Sequence, residues 1–279
     1  MSVGKLVSIE LLKTRKRFAV WMAMLFFFGF FVVNLTGSLI EHIRHDVAGT
    51  PLPQSWPGII SFGSGLGVLV LLVTVVLLTA SEKTWRTERQ NVIDGLSRTQ
   101  FFTAKMIVMV SLVALLWLGV IVLTAAFGAL ERLGEAAELP LARGIDLKLM
   151  GGLLLNLTLV GAIALFFGTS GSSSGAGLAL AFLFLFSQSL IAVLMVRLGG
   201  IWEIAAPFLP MQVLQALTST MTFDPEAFAQ MAERMRQMEE SGRPSMPRPL
   251  SAIEAVTAAL VYIALFLGGA WFAIRRRDL

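Results

Sequence analysis

Residues 81–105 read SEKTWRTERQNVIDGLSRTQFFTAK, a dense mixed-charge segment held between two long apolar runs. Glu82, Lys83, Arg86, Glu88, Arg89, Asp94, Arg98 and Lys105 all fall in it. Glu82 and Arg86 stand one helical turn apart, and Glu88 and Gln90 follow with Asp94 nearby, so the first half suits a short helix. Gly95 breaks that run. Ser97 can cap a second helix that carries Arg98 and Lys105 and continues into the next apolar run. A charged connector of this kind between uncharged runs implies that the chain crosses a membrane on either side of it.

Six such runs lie along the chain, at 18–40, 58–80, 106–130, 149–168, 175–196 and 255–274. Each is about as long as the ~20 residues needed to cross a hydrocarbon core. Backbone groups in lipid must be satisfied within the segment, so the expected spans are helices and the fold class is all-α and polytopic. The composition agrees: of 279 residues, 56% are hydrophobic and 14% charged. The mean hydropathy is +0.78. The net charge of +4 fits basic membrane-flanking loops better than nucleic-acid binding. With no cysteine, disulfides, thiolate metal sites and cysteine catalysis are excluded. The basic start leads into a full-length span with no small-residue cleavage pattern, so no cleavable signal peptide is expected.

The domain organisation follows as one transmembrane unit over 1–279. Residues 1–17, with Val3, Leu6, Val7 and Leu11 on one side and Lys13, Arg15, Lys16 and Arg17 at the end, read as a helix lying on the membrane face. Residues 18–80 hold the first two spans, 81–105 the charged segment, 106–196 spans three to five, 197–254 a long loop, and 255–279 the last span with its basic tail. An even number of spans puts both termini on one side. The Lys and Arg of the N-terminal cluster, the 81–105 segment and Arg275–Arg277 put that side in the cytoplasm, in a multi-pass inner-membrane protein.

In the long loop, 201–223 is apolar but interrupted by Glu203, Pro207 and Pro210. It is expected to form short re-entrant or outer-leaflet helices. Asp224-Pro225-Glu226 then starts a helix with Phe228, Met231, Met235 and Met238 at helical spacing. This methionine stripe suits packing on the loop itself or on a second copy.

The 81–105 segment resembles the coupling segment of ABC-2-type transporter permeases. The likeness rests on Glu82 closing one span, Lys83-Thr84-Trp85-Arg86, Gly95-Leu96-Ser97-Arg98, and Lys105 opening the next. The six-span layout, the N-terminal interfacial helix and the proline-containing hairpin before the last span also resemble that family. The resemblance implies a dimer, of identical or different copies, joined to a separate ATP-binding cassette ATPase subunit that would bind ATP and Mg. It implies export by alternating access, with coupling residues Glu82, Arg86, Glu88, Ile93, Asp94, Gly95, Leu96 and Arg98.

The chain has no Gly-x-x-x-x-Gly-Lys-Ser/Thr motif, so ATP hydrolysis is expected on another chain and none here. The six apolar runs contain no Asp, Glu, Lys, Arg or His, which argues against ion-coupled carriers and proton relays. Mildly polar residues remain. Asn34, Thr74, Asn156 and Gln188 are the expected lining of a route for an amphipathic or lipid-like substrate, or hydrogen bonds between helices. Gly63-x-x-x-Gly67 allows close helix packing. Gly168-Thr169-Ser170-Gly171 resembles the nucleophile box of rhomboid proteases, but those need a histidine on a later span. The two histidines are His42 and His45, in the first outer loop. Beside Glu41 and Asp46 they lack a firm third ligand and read as solvated, so no metal site and no cofactor is expected in this chain. Two other function classes stay open: a membrane-embedded assembly or scaffold subunit without transport, and an ATP-independent carrier.

Overall fold

A computed structural model describes residues 3–45, 54–84, 97–131, 142–240 and 247–276. The described residues form α1 (Val3–Lys16), α2 (Phe18–His45), α3 (Trp56–Thr84), α4 (Arg98–Glu131), α5 (Gly144–Ser170) and α6 (Ser174–Leu198). There follow α7 (Ile201–Ala205), a 3-10 turn (Ala206–Phe208), α8 (Pro210–Ala216), α9 (Thr220–Phe223), α10 (Pro225–Glu240) and α11 (Ala252–Arg275). No strand occurs among the described residues. Six helices are long and apolar enough to cross a membrane: α2 to α6 and α11. The chain is therefore an all-α, multi-pass membrane protein.

The hub is α5. Its Leu149, Leu153, Leu157, Val160, Ile163 and Leu165 are fully or almost fully buried, and it packs on α3, α11, α4 and α6, most extensively on α3. Lipid is as apolar as leucine, so close packing and hydrogen bonds, more than the hydrophobic effect, hold such helices together. Small residues permit that approach. A Cβ on Gly168 would stand 2.9 Å from the Thr79 Cβ and 3.3 Å from the Val76 Cα of α3. The Gly63 and Gly67 pair serves two neighbours: a Cβ at Gly63 would meet Val120 of α4 at 3.1 Å, and one at Gly67 would meet Leu157 of α5 at 2.8 Å. The outer faces of α2, α6 and α11 carry exposed Phe18, Leu25, Leu183, Phe186, Leu190 and Leu265. Such a belt is what a chain solvated by hydrocarbon requires.

The helices run past the apolar runs at several ends. The spacing puts 41–57 in a loop, but Glu41, His42, Arg44 and His45 belong to the last turns of α2. Asp146 and Lys148 lie in the first turns of α5, which the sequence reading starts at 149. Asp146 is the third helical residue. Its carboxylate accepts the Arg143 backbone N–H at 2.7 Å and the Arg143 guanidinium at 3.1 Å, so both bonds run from the N-cap residue to the acid at the helix start. The apolar-run criterion stops at the first charge, whereas a capped helix accepts an acid in its first turn. Similarly, α11 begins at Ala252 because Ser251 caps it: Ser251 Oγ accepts the Glu254 N–H, and the Glu254 carboxylate accepts the Ser251 N–H at 2.9 Å.

Positive φ values at Gly199 (66°) and Gly200 (61°) turn the chain sharply out of α6. Pro207 lies in the 3-10 turn and Pro210 opens α8, so 201–223 is broken into short helices and contributes no candidate span. Val213, Leu214 and Leu217 of this hairpin are buried against the bundle. The contact at Leu217 needs a glycine: a Cβ on Gly152 would lie 1.9 Å from the Leu217 carbonyl oxygen. Asn156 Nδ2 donates to the Leu214 carbonyl oxygen at 2.7 Å, and Tyr262 Oη donates to that of Phe208 at 2.8 Å. The hairpin is thus fixed to both α5 and α11.

Candidate functional site

Two features stand at opposite ends of the bundle. The first is built where α1 meets the charged ends of α3 and α4. On α1, Glu10, Lys13 and Thr14 recur at helical spacing, which sets them on one face, and Arg17 follows just beyond the helix end. Glu10 points into the protein and is 7% exposed. Its Oε2 lies 2.9 Å from the Nζ of Lys105, itself 4% exposed, and its Oε1 lies 2.9 Å from Lys13 Nζ. Lys105 Nζ also sits 5.3 Å from the centre of the Phe101 ring. Burial by itself would raise the Glu10 pKa, but the ammonium groups of Lys105 and Lys13 outweigh it and hold the carboxyl below its ordinary value. Arg17, in the break between α1 and α2, donates to the Ser81 hydroxyl and, at 3.5 Å, to the Leu77 carbonyl. The N-terminal segment therefore grips the last turn of α3 through Arg17, just after α1, and the first turns of α4 through Glu10 of α1.

These two grips flank the 81–105 segment. Of its expected coupling residues, Arg86, Glu88, Ile93, Asp94, Gly95 and Leu96 lie outside the described residues, as does the side chain of Glu82. Ser97 caps α4 by a reciprocal box with Gln100: Gln100 N donates to Ser97 Oγ at 3.2 Å and Ser97 N to Gln100 Oε1 at 3.0 Å. Arg98 is exposed, and its Nη1 donates to the Arg275 carbonyl at 2.5 Å, at the negative end of α11. Phe102 and Trp271 pack beside that bond with ring centres 5.4 Å apart. The start of α4 is thereby tied to α1 on one side and α11 on the other.

The second feature is a cavity of about 600 Å³ between α3, α5 and the 201–223 hairpin. Ser61, Gly65 and Leu69, one turn apart on α3 and all exposed, form its mouth. Ser64, Thr218 and Asn156 form part of its wall, with the Ser64 and Thr218 hydroxyls 3.4 Å apart. None of the described residues lining it is ionisable. Asn156 is 1% exposed; its Nδ2 is used on Leu214, while its Oδ1 has no hydrogen-bond partner.

Of the four residues expected to line a route, Asn156 is in this cavity and the others are not. The Thr74 hydroxyl is spent on the Val70 carbonyl at 2.6 Å within its own helix. Asn34 is exposed on α2. Gln188 is buried on α6 with Oε1 unpartnered.

The side chains of His42 and His45 lie outside the described residues. Ser170 ends α5, whereas His42 lies in the last turn of α2 at the other end of the bundle, about 40 Å away by the length of a 27-residue helix. Among the described residues no group of three His, Asp or Glu is placed to hold a metal. On α10, Phe228 and Met231 are half-buried, and the side chains of Met235 and Met238 lie outside the described residues.

The Glu10–Lys105 lock escaped the sequence reading. Its two halves are 95 residues apart, and each has an ordinary explanation alone. The available signal was an acid at position 10 inside an otherwise basic helix, spaced to share a face with Lys13.

Neither the protein-family models nor the curated proteins compared with this chain match it.

Proposed function

We propose that this protein is the membrane-spanning subunit of an ATP-driven exporter of the ABC-2 type. The 81–105 segment would dock on a separate ATP-binding subunit. The observation that carries the reading is the double grip of α1 and the adjoining Arg17 on the helices that enter and leave that segment. A push on 81–105 would reach α3 and α4 as one body, because α1 clamps both. It would reach α11 through the bond from Arg98 to the Arg275 carbonyl. The charged ends of six candidate spans, uncharged along their middles, suit a driven permease better than an ion-coupled carrier. If transport is ATP-driven, the ATPase is another chain, since the sequence has no phosphate-binding loop.

In this reading both termini and 81–105 face the cytoplasm and 201–223 faces outward. Two copies form the working unit. ATP closes the partner subunits only if they bind it better in the closed arrangement, and that difference in affinity moves the spans. Leu96→Asp would bury an unpaired charge in the docking contact, whereas Arg98→Ala removes an exposed group worth roughly 0–1 kcal/mol there. Leu96→Asp is therefore expected to insert normally but to lose its ATP-binding partner on purification, and Arg98→Ala to keep it. Equal recovery of the partner with Leu96→Asp and wild type would refute the docking assignment.

A further inference from the structure

We propose that the cavity between α3, α5 and the 201–223 hairpin is a binding site for an uncharged amphiphile whose head donates hydrogen bonds, of the monoacylglycerol kind. The inference does not depend on an ATPase partner. Three properties of the cavity carry it. Its volume of about 600 Å³ lies within the range of small-molecule sites, and its wall is mixed: Val68, Leu69, Met211 and Leu214 are apolar, while Ser61, Ser64, Gln215, Thr218, Ser219 and Thr220 are polar. It presents no charge among its described lining residues, so an ionic head would be desolvated without a counter-charge. Asn156, one of its wall residues, also carries an acceptor that nothing uses. Asn156 is held by its Nδ2 bond to Leu214, which leaves Oδ1 buried and without a partner.

A buried amide oxygen without a partner costs free energy that a ligand O–H would recover. The surrounding hydroxyls can both donate and accept, which suits a polyhydric head. The mouth at Ser61, Gly65 and Leu69 gives an acyl chain an exit along α3.

Gly65 offers a clean test. It lines the cavity, and a Cβ added there meets nothing within 4 Å, so a side chain can begin there without a clash and the ring of Gly65→Phe is expected to occupy the space. The full-length protein in lipid nanodiscs is exposed to a monoacylglycerol with a diazirine early in its acyl chain, irradiated and mapped by mass spectrometry. Labelling should concentrate on 57–69 and 211–220. It should be displaced by monooleoylglycerol but not by oleate, by methyl oleate, which has no donor, or by glycerol, which has no chain. Gly65→Phe should abolish it, and Asn156→Leu should weaken it about tenfold, the scale of one hydrogen bond. If Asn156→Leu fails to fold, Gly65→Phe decides alone. Equal displacement by oleate or methyl oleate would overturn the donor-bearing neutral head, and equal displacement by glycerol the amphiphile. Labelling that survives Gly65→Phe, or spreads over the exposed Leu183, Phe186 and Leu190 face of α6, would overturn the site.

Discussion

Glu10 and Lys105, at the two ends of a 2.9 Å ion pair, are both almost fully removed from solvent, and the pair joins the N-terminal helix to the start of α4. A buried pair is weak support for stability as such, because desolvation offsets the attraction, but breaking one side leaves a stranded charge. Glu10→Leu is therefore expected to destabilise by about 3–5 kcal/mol. The double variant Glu10→Leu, Lys105→Met should recover much of that loss. Thermal unfolding of the purified proteins in one detergent checks both. Similar losses in the single and double variants would show that the pair does not act as a unit.

The same pair sets a pH dependence. Because the Glu10 carboxyl is held below its ordinary value of 4.5, its contribution is present above that value and disappears as pH falls through the lower folded-state value. The stability advantage of wild type over Glu10→Gln should be constant near neutrality and vanish in acid. Unfolding midpoints of the two proteins across pH 3–7 would show it, and an advantage independent of pH would contradict it.

At the opposite end, Gly152→Ala should destabilise the attachment of the hairpin by about 1–3 kcal/mol, the usual cost of overpacking, because the new methyl would collide with the Leu217 carbonyl. Gly151→Ala, one residue earlier, meets nothing within 4 Å and should be neutral or slightly stabilising. Thermal midpoints of the two variants, measured side by side, isolate the contact. A neutral Gly152→Ala would mean that the hairpin backbone does not approach α5 as described.

Orientation is testable on the native cysteine-free background. Arg234→Cys, on the exposed side of α10, should react with a membrane-impermeant thiol reagent in intact cells. Arg89→Cys, in the 81–105 segment, should react only after the membrane is opened. The reverse pattern would overturn the positive-inside assignment.

The spans were legible because each depends on a property carried by about 20 consecutive residues, the absence of charge, and nothing distant competes with it. Their ends were not, because Asp146, Arg143 and Ser251 act through caps that extend a helix beyond its apolar run. The hairpin was readable from Pro207 and Pro210, but its seat on Gly152 depends on one backbone contact that no local pattern records. Asn156 stood out as a polar residue in an apolar run. That it lines a cavity follows only from how α3 and α5 are rotated against each other, whereas Thr74 bonds back to Val70 within α3. Lys105, taken as the residue opening a span, proved buried and paired, since its partner lies on a helix expected to rest on the membrane surface.

We propose that 81–105 contacts an ATP-binding subunit. Leu96→Cys carrying a photoreactive cross-linker, in inside-out vesicles that retain the native partners, tests it most directly. Irradiation should join the chain to an ATP-binding protein, and ATP should change the yield. A cross-linker that joins only lipid or a second copy of this chain, with or without ATP, would contradict the account.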